Sequence, residues 1–345
     1  MSTDNTMEQV ADSLDISIIM PVYNGKDFIV KSLPPLIGMM KRGEVREVIV
    51  VDDSSTDDTA KIASELGARV IPSGGRLGPG AARNEAAKLA KGEILWFVDA
   101  DVIIHDDAAA YMREGFSSPE VVAVFGSYDD KPPAQNFLSQ YKNLVHHFYH
   151  HRGRKEASTF WSGCGAVRKA NFLAVGGFDV EMFKRPSIED IELGYRLREA
   201  GGKIMLFPEL QSTHLKVWRF FNLIHTEIFC RAIPWSRLMI RQTGVVDDLN
   251  VSTQERIRAM LSGVFFLGLF LVILGWIPVW SIIVLVGGVI LVNSNLFSLF
   301  FKRKGLWFAF MGLGFHQLYY LYSSAAFAYC ILEAKLLPVN KNTGK

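Results

Sequence analysis

The chain has 345 residues, of which 37 are Lys or Arg and 35 are Asp or Glu, giving a net charge of +2. None of these 72 charges falls in 259–301 or 305–332, so the other 274 residues hold them all, about 26%, the usual share for a soluble globular domain. The 49% hydrophobic content and mean hydropathy of +0.17 therefore average two materials. They exclude a wholly soluble protein, a wholly membrane-embedded one and a disordered one. The near balance of charge excludes nucleic acid as the main partner. Cys164, Cys230 and Cys330 lie far apart with no CxxC, so no disulfide framework or zinc knuckle is expected. Residues 1–15 form a polar, acidic tail without the basic-then-apolar pattern of a signal peptide, and the domain after it is expected to stay in the cytoplasm.

From residue 16 onward, short apolar runs alternate with helical patterns. Strands are expected at 16–22, 48–51, 68–71, 94–98 and 121–125. Helices are expected at 26–40 (kinked by Pro34-Pro35), 56–66, 81–91 and 106–116. Buried strands separated by helices imply an α/β, Rossmann-like fold with a mostly parallel sheet covered on both faces. Past residue 126 the pattern loosens. A helix over 133–154 carries His146, His147, His150 and His151 at i, i+4 spacing; lacking an HExxH pattern, it reads as a solvated or interfacial face. Residues 161–168 read as a strand with close backbone approach at Gly163, and Ser187 reads as the cap of a helix whose first turn holds Glu189 and Asp190. His214 ends a further strand.

The segment 218–257 begins with aromatic and basic residues suited to a helix in the headgroup layer, which would put the site against the bilayer. The region 258–333 reads as about three transmembrane helices, near 259–275, 279–301 and 306–332, with a break at Gly275-Trp276-Ile277-Pro278-Val279-Trp280. Arg256, Arg258 and Lys302-Arg303-Lys304 then fall on one side, the cytoplasm. Lys335, Lys341 and Lys345, in or near the 334–345 tail, would face outward, against the same rule, which leaves a third helix that does not cross fully as the alternative.

Ligands of such sheets bind outside the carboxyl ends of the strands. There the sequence places Pro21-Val22-Tyr23-Asn24, then Asp52-Asp53-Ser54-Ser55-Thr56-Asp57, then Asp99-Ala100-Asp101. An aspartate after a buried strand can accept from a ribose or base, a tyrosine can lie against the base, and two close carboxylates repel unless a cation lies between them. Hard oxygen ligands suit Mg2+ or Mn2+ on a diphosphate. Asp57 and Asp58 are accounted for by helix capping, which explains Asp99 and Asp101 poorly.

With Gly80-Ala81-Ala82-Arg83-Asn84 between them, these four motifs in order resemble the family 2 glycosyltransferases of GT-A fold, over about 16–215. The resemblance implies that Pro21, Val22, Tyr23, Asp52 and Asp53 hold the nucleotide, with Arg83, Asp99 and Ala100 on the donor. It implies Asp101 as the metal ligand, with His214 as a second ligand or phosphate contact, and Asp190 as the base that deprotonates the acceptor. Glu189 and Gly163 are implied on the acceptor side. Arg231 with Trp235 is loosely similar to the Gln-x-x-Arg-Trp element of processive synthases, which is absent as written.

The expectation is a GT-A domain over 16–217 and a multi-pass inner-membrane anchor. The chain would move a sugar from a UDP- or GDP-linked donor, with Mg2+ or Mn2+, to a lipid-linked or glycan acceptor, with inversion. The alternatives are a catalytically silent sugar-nucleotide-binding scaffold, against which intact Asp99, Asp101 and Asp190 argue, and a processive polysaccharide synthase.

Overall fold

A computed structural model of the chain describes residues 14–241 and 249–336. Most of the tails expected at 1–15 and 334–345, including Lys341 and Lys345, lies outside the described residues. The chain divides into two compact units, Met1–Val217 and Trp218–Lys345.

The first unit opens with β1 (Ile16–Val22), buried at every position, followed by α1 (Lys26–Lys41), which continues through Pro34 and Pro35. Then come β2 (Glu47–Asp52), α2 (Thr59–Glu65), β3 (Arg69–Pro72), α3 (Pro79–Leu89), β4 (Ile94–Val98), β5 (Val102–Ile104), α4 (Ala108–Gly115) and β6 (Val121–Tyr128). The remainder is α5 (Phe137–His150), β7 (Glu156–Ala157), β8 (Cys164–Arg168), α6 (Lys169–Ala174), α7 (Glu189–Glu199) and β9 (Lys203–His214). The strands form one sheet in the order β3-β2-β1-β4-β8-β6-β9-β5, with β7 on β9.

The sheet is mixed, which corrects the expectation of a mostly parallel one. β1, β2, β3 and β4 pair in parallel, because the helices between them return the chain to the same edge. β8 then runs antiparallel to both β4 and β6, and β5 and β7 run antiparallel to β9. β5 and β7, three and two residues long, were too short to read from periodicity. The sequence order reverses across β1, with β2 on one side and β4 on the other, and this opens a crevice at their carboxyl ends.

The histidines of α5 do not form a solvated face. His147 and His150 are buried, and their Nδ1 atoms donate to the carbonyls of Tyr128 (2.9 Å) and Gly126 (2.8 Å), so they tie the helix to the end of β6. Nearby, His105 Nε2 lies 3.3 Å from Asp129 Oδ2 and 3.1 Å from Thr213 Oγ1, pinning β5 to β6 and β9. The hydrogen bond and charge of Asp129 raise the His105 pKa against the opposing effect of partial burial, while His105 and Thr213 hold Asp129 below the ordinary carboxylate range although burial acts the other way. A raised histidine stabilises the fold fully below its unfolded value, about 6.5, and loses that contribution as pH rises through the folded value. The depressed aspartate loses its share as pH falls through its own folded value. His105→Gln is therefore expected to lower the melting temperature at pH 5.5 by the equivalent of about 0.5 kcal/mol, discounted for exposure, and by progressively less as pH rises through the folded value. Thermal melts of both proteins across that range check it.

The second unit contains α8 (Phe220–His225), a π-helical turn (Thr226–Ala232), α9 (Ile233–Arg241) and a short 3-10 turn (Leu249–Val251). α10 (Thr253–Ile273), α11 (Ser281–Val292), α12 (Ser294–Lys304) and α13 (Leu306–Leu336) follow. Among the described residues, α10 alone is long and apolar enough to cross a membrane by length and composition. A second candidate exists only if α11 and α12, bent by 87°, count as one. The single helix expected near 279–301 is thus broken at Asn293. This side chain is buried and its Nδ2 donates to Val289 O at 3.0 Å, competing with the helical ladder at the point where the chain turns.

Candidate active site

The loops after β1 and β2 are fastened together. Asn24 and Ser54 both adopt left-handed backbone conformations (φ 47° and 65°), a cost that side-chain and backbone hydrogen bonds offset. Asn24 Oδ1 accepts from Thr56 N (2.8 Å), Asn24 N donates to Ser55 Oγ (2.9 Å) and Gly25 N to Thr59 Oγ1 (2.9 Å). Pro21 and Val22 are buried in β1, Val22 opposite Asp52, while Tyr23 is exposed and carries the Arg76 guanidinium 4.1 Å from its ring centroid.

The two adjacent aspartates have different duties. Asp52, half-buried, accepts a long 3.3 Å hydrogen bond from Ser55 N. Asp53 is buried, and its carboxylate accepts from Ser73 Oγ (2.7 Å), Leu77 N (2.9 Å) and Gly78 N (2.9 Å). Asp53 therefore holds the glycine-rich loop, and Asp52 is the less engaged of the two. Asp57 accepts from Thr59 N at 3.0 Å just before α2, while Asp58, at the N-cap position, makes no side-chain capping hydrogen bond, so the capping expected of the pair is made by Asp57 from outside the cap position.

β4 ends in the tight turn Asp99-Ala100-Asp101. Asp99 N donates to Gly163 O (3.2 Å), Val102 N to Asp99 O (3.0 Å), and Ala100 O accepts from Ser32 Oγ (2.7 Å). Register places Val102 opposite His214, so Asp101 emerges beside the last residue of β9, with Asp101 Oδ2 3.5 Å from His214 Nε2. The His214 ring stacks on Tyr128 (4.3 Å, 6°), which fixes its orientation.

Arg83, on α3, is buried and ion-paired with Asp99 (2.5 Å). Its guanidinium lies 5.4 Å from the Phe178 ring centroid, and its Nε is buried without a hydrogen-bond partner. Asn84 beside it clasps the next turn: its Nδ2 donates to Phe178 O and its Oδ1 accepts from Phe178 N, both at 2.8 Å.

The second acidic cluster reaches the same crevice through α7. Gly194 lets that helix lie against the strand side, since a Cβ there would stand 2.5 Å from Phe160 N. Asp190 Oδ2 accepts from Ser162 N (3.1 Å) and Ser162 Oγ (3.3 Å), and Ser162 precedes the Gly163 whose carbonyl binds Asp99. A Cβ at Gly163 would stand 2.5 Å from the Trp161 ring, so the turn tolerates no side chain there. Ser187 does not cap α7; its N–H donates instead to Glu189 Oε2 (2.7 Å), and the N-cap position is Ile188.

Electrostatics reflect the convergence. Burial raises the Asp99 pKa, Arg83 opposes this, and the Asp101 and Asp190 charges add to it. Glu189 is likewise raised by burial and by Asp190, with Arg83 opposing. Burial would raise Asp101 as well, but His214 and Lys216 outweigh it and hold this carboxyl below the ordinary range. One crevice thus contains a carboxyl whose pKa is lowered and two whose pKa is raised.

Among the described residues, no group of three or more His, Cys, Asp or Glu side chains could hold a metal ion by itself. Asp101 with His214 offers two donors, the number suited to a cation such as Mg2+ or Mn2+ that takes its other ligands from water and substrate phosphates. Arg231 and Trp235 lie in the second unit, Arg231 paired with Glu227 at 2.7 Å. Sequence reading assigned no role to Ser162 or Asn84, since each acts through backbone partners distant in the chain.

Residues 17–176 match the family model described as Glycosyl transferase family 2, and this segment is a domain of that family. A poly(ribitol-phosphate) beta-glucosyltransferase of Bacillus spizizenii is 40% identical over 104 residues, 28% of this chain and 16% of that protein. The poly(ribitol-phosphate) beta-N-acetylglucosaminyltransferase TarS of Staphylococcus aureus is 34% identical over 122 residues, 33% of this chain and 21% of that protein. The chain thus spans about a fifth or less of the length of these two relatives. A solved mannosyltransferase, PcManGT from Pyrobaculum calidifontis, in complex with GDP-Man and Mn2+, superposes with a TM-score of 0.55 over 92% of this chain and 87% of that one. At 16% identity that likeness concerns the fold, and the mixed sheet seen here is consistent with GT-A.

Proposed function

We propose that this chain is a membrane-anchored, inverting glycosyltransferase that moves a sugar from a UDP- or GDP-linked donor to a lipid-linked or glycan acceptor at the cytoplasmic face. One observation carries the reading: Asp190 and Asp99 are bound to the adjacent residues Ser162 and Gly163, so acids about ninety positions apart in sequence share one crevice.

Inversion at an anomeric carbon needs a base on the side opposite the leaving diphosphate. Asp190, held by Ser162, accepts the proton of the acceptor hydroxyl as its oxygen bonds to the sugar. Arg83, with a donor atom to spare, faces the departing diphosphate. Tyr23 and Asp52 receive the nucleoside, and Asp53 keeps the glycine loop in place beside them. Asp101 and His214 would hold Mg2+ or Mn2+, which supplies positive charge to the diphosphate as it leaves. The exposed apolar surface of the second unit supports a bilayer anchor and a lipid-linked acceptor.

The test is a sugar-nucleotide panel with Mn2+, read both as donor hydrolysis and as nucleotide-dependent Mn2+ binding by electron paramagnetic resonance. Asp101→Ala is expected to weaken the Mn2+ binding by at least about tenfold. No hydrolysis of any donor by the wild type, or unchanged Mn2+ binding by Asp101→Ala, rejects the reading.

A further inference from the structure

The third uncharged segment forms α13, whose 31 residues extend about 46 Å at 1.5 Å each, long enough on paper to cross a bilayer. Its contacts within the second unit point elsewhere. The middle of the helix, rather than an end, meets the charged foot of α10. Tyr320 OH donates to Glu255 Oε2 (2.6 Å) and to Asn293 Oδ1 (3.3 Å), and Asn250 Nδ2 donates to Tyr319 OH (2.9 Å). Glu255 also pairs with Arg258, whose Nε donates to Val292 O (3.2 Å), so α10 departs from and α11 returns to this same level. Further along, α13 lies beside α9: Cys330 Sγ donates to Ile233 O (3.7 Å), and Arg237 forms a two-pronged pair with Glu333 (2.7 and 2.8 Å).

A spanning helix would carry its midpoint into the hydrocarbon, where a carboxylate is costly, and would part its ends by the bilayer thickness. Here the midpoint and the carboxyl end both join ion-paired groups. One face of α13 is apolar and exposed, while the opposite face, with Ala309, Leu313, Ala326 and Cys330 among its residues, is packed within the unit. Trp307, Met311, Leu318, Leu321, Tyr329 and Leu332, at successive three- and four-residue intervals or their sums, are 41–82% exposed, whereas His316, Gln317 and Tyr320 are buried. An apolar stripe of this length requires a cover. Exposed Lys302, Arg303 and Lys304 at its head complement lipid phosphates.

We propose that α13 lies flat in the headgroup layer of a phospholipid bilayer, its apolar stripe facing the acyl chains, and that only the α10–α11 hairpin enters the hydrocarbon. Lys335 then shares a side with Lys302, Arg303 and Lys304, which removes the conflict with the positive-inside rule that three spans create. The inference concerns membrane placement and is independent of the chemistry at Asp101 and Asp190.

Two measurements on the full chain in phospholipid vesicles test it. Spin labels at Met311→Cys, Leu321→Cys and Leu332→Cys, with Cys164, Cys230 and Cys330 replaced by alanine, are expected to report equal depth within a few ångströms. A span would separate Met311 from Leu332 by about 31 Å along the helix and make Leu321 deepest. Without any substitution, a tag before Met1 and a tag after Lys345 are expected to be cleaved from the same side of sealed vesicles. A depth gradient along the three labels, or cleavage of the two tags from opposite sides, overturns the proposal.

Discussion

Asp190→Asn is expected to lower the rate of sugar transfer by about 10²- to 10⁴-fold, the usual contribution of a positioned base, and to leave nucleotide-dependent Mn2+ binding unchanged. The asparagine carbonyl can still accept from Ser162 N and Ser162 Oγ, so the turn that carries Gly163 and Asp99 keeps its anchor. What disappears is the capacity to take a proton, together with the Oδ1 that accepts from Ile191 N at 2.9 Å. The fall should therefore appear in turnover and not in donor affinity, a distinction that single-turnover kinetics and equilibrium titration make together. Transfer at wild-type rate by this variant would remove the base assignment.

Arg83→Met is expected to produce the largest combined effect on stability and donor affinity. Arg83 is buried against Asp99, with Glu189 within reach of its charge, and it is the cation that opposes the pKa rise of both carboxyls. Breaking a fully buried pair costs about 3–5 kcal/mol, and because the Asp99 side chain keeps 36% of its surface, about 2 kcal/mol is the expected loss here. The sign with pH follows from the raised carboxyls. The unpaired charge penalises the folded state above their folded values, and the penalty fades as pH falls and protonation removes the charge. Denaturant unfolding at pH 8 and pH 5 should show a larger gap between variant and wild type at pH 8. Arg83→Lys, which keeps a cation but not the planar fork, should recover part of the stability and little of the nucleotide affinity.

Much of the candidate site's layout was legible because its polar residues stand where buried strands end. β1 and β4 have the limits read from periodicity, and the loops at Tyr23, Asp52 and Asp99 stand at the carboxyl ends of β1, β2 and β4. What escaped were features that depend on partners distant in sequence. Asp52 and Asp53 are chemically identical, and only the folding of residues 73–78 onto Asp53 distinguishes tether from open carboxylate. β8 was read as a strand, but nothing in Cys164-Gly165-Ala166-Val167-Arg168 announces that it runs against β4 and β6 and so makes the sheet mixed. The four histidines of α5 and its end looked polar by composition, yet neighbouring carbonyls make two of them interior groups. In the second unit, hydropathy registered apolar length but not the Asn293 amide that turns the chain.

The stitching of residues 73–78 to Asp53 bears on how fast an incoming molecule can be captured. A segment of several glycines would ordinarily lose about 1–2 kcal/mol of backbone freedom per residue when it closes on a guest, slowing productive encounters and weakening them. Here that entropy is surrendered during folding, so the rim stands ready beforehand. Association should then depend more on diffusion and charge than on a closing motion, and calorimetry of nucleotide binding should register little ordering entropy from this part of the chain.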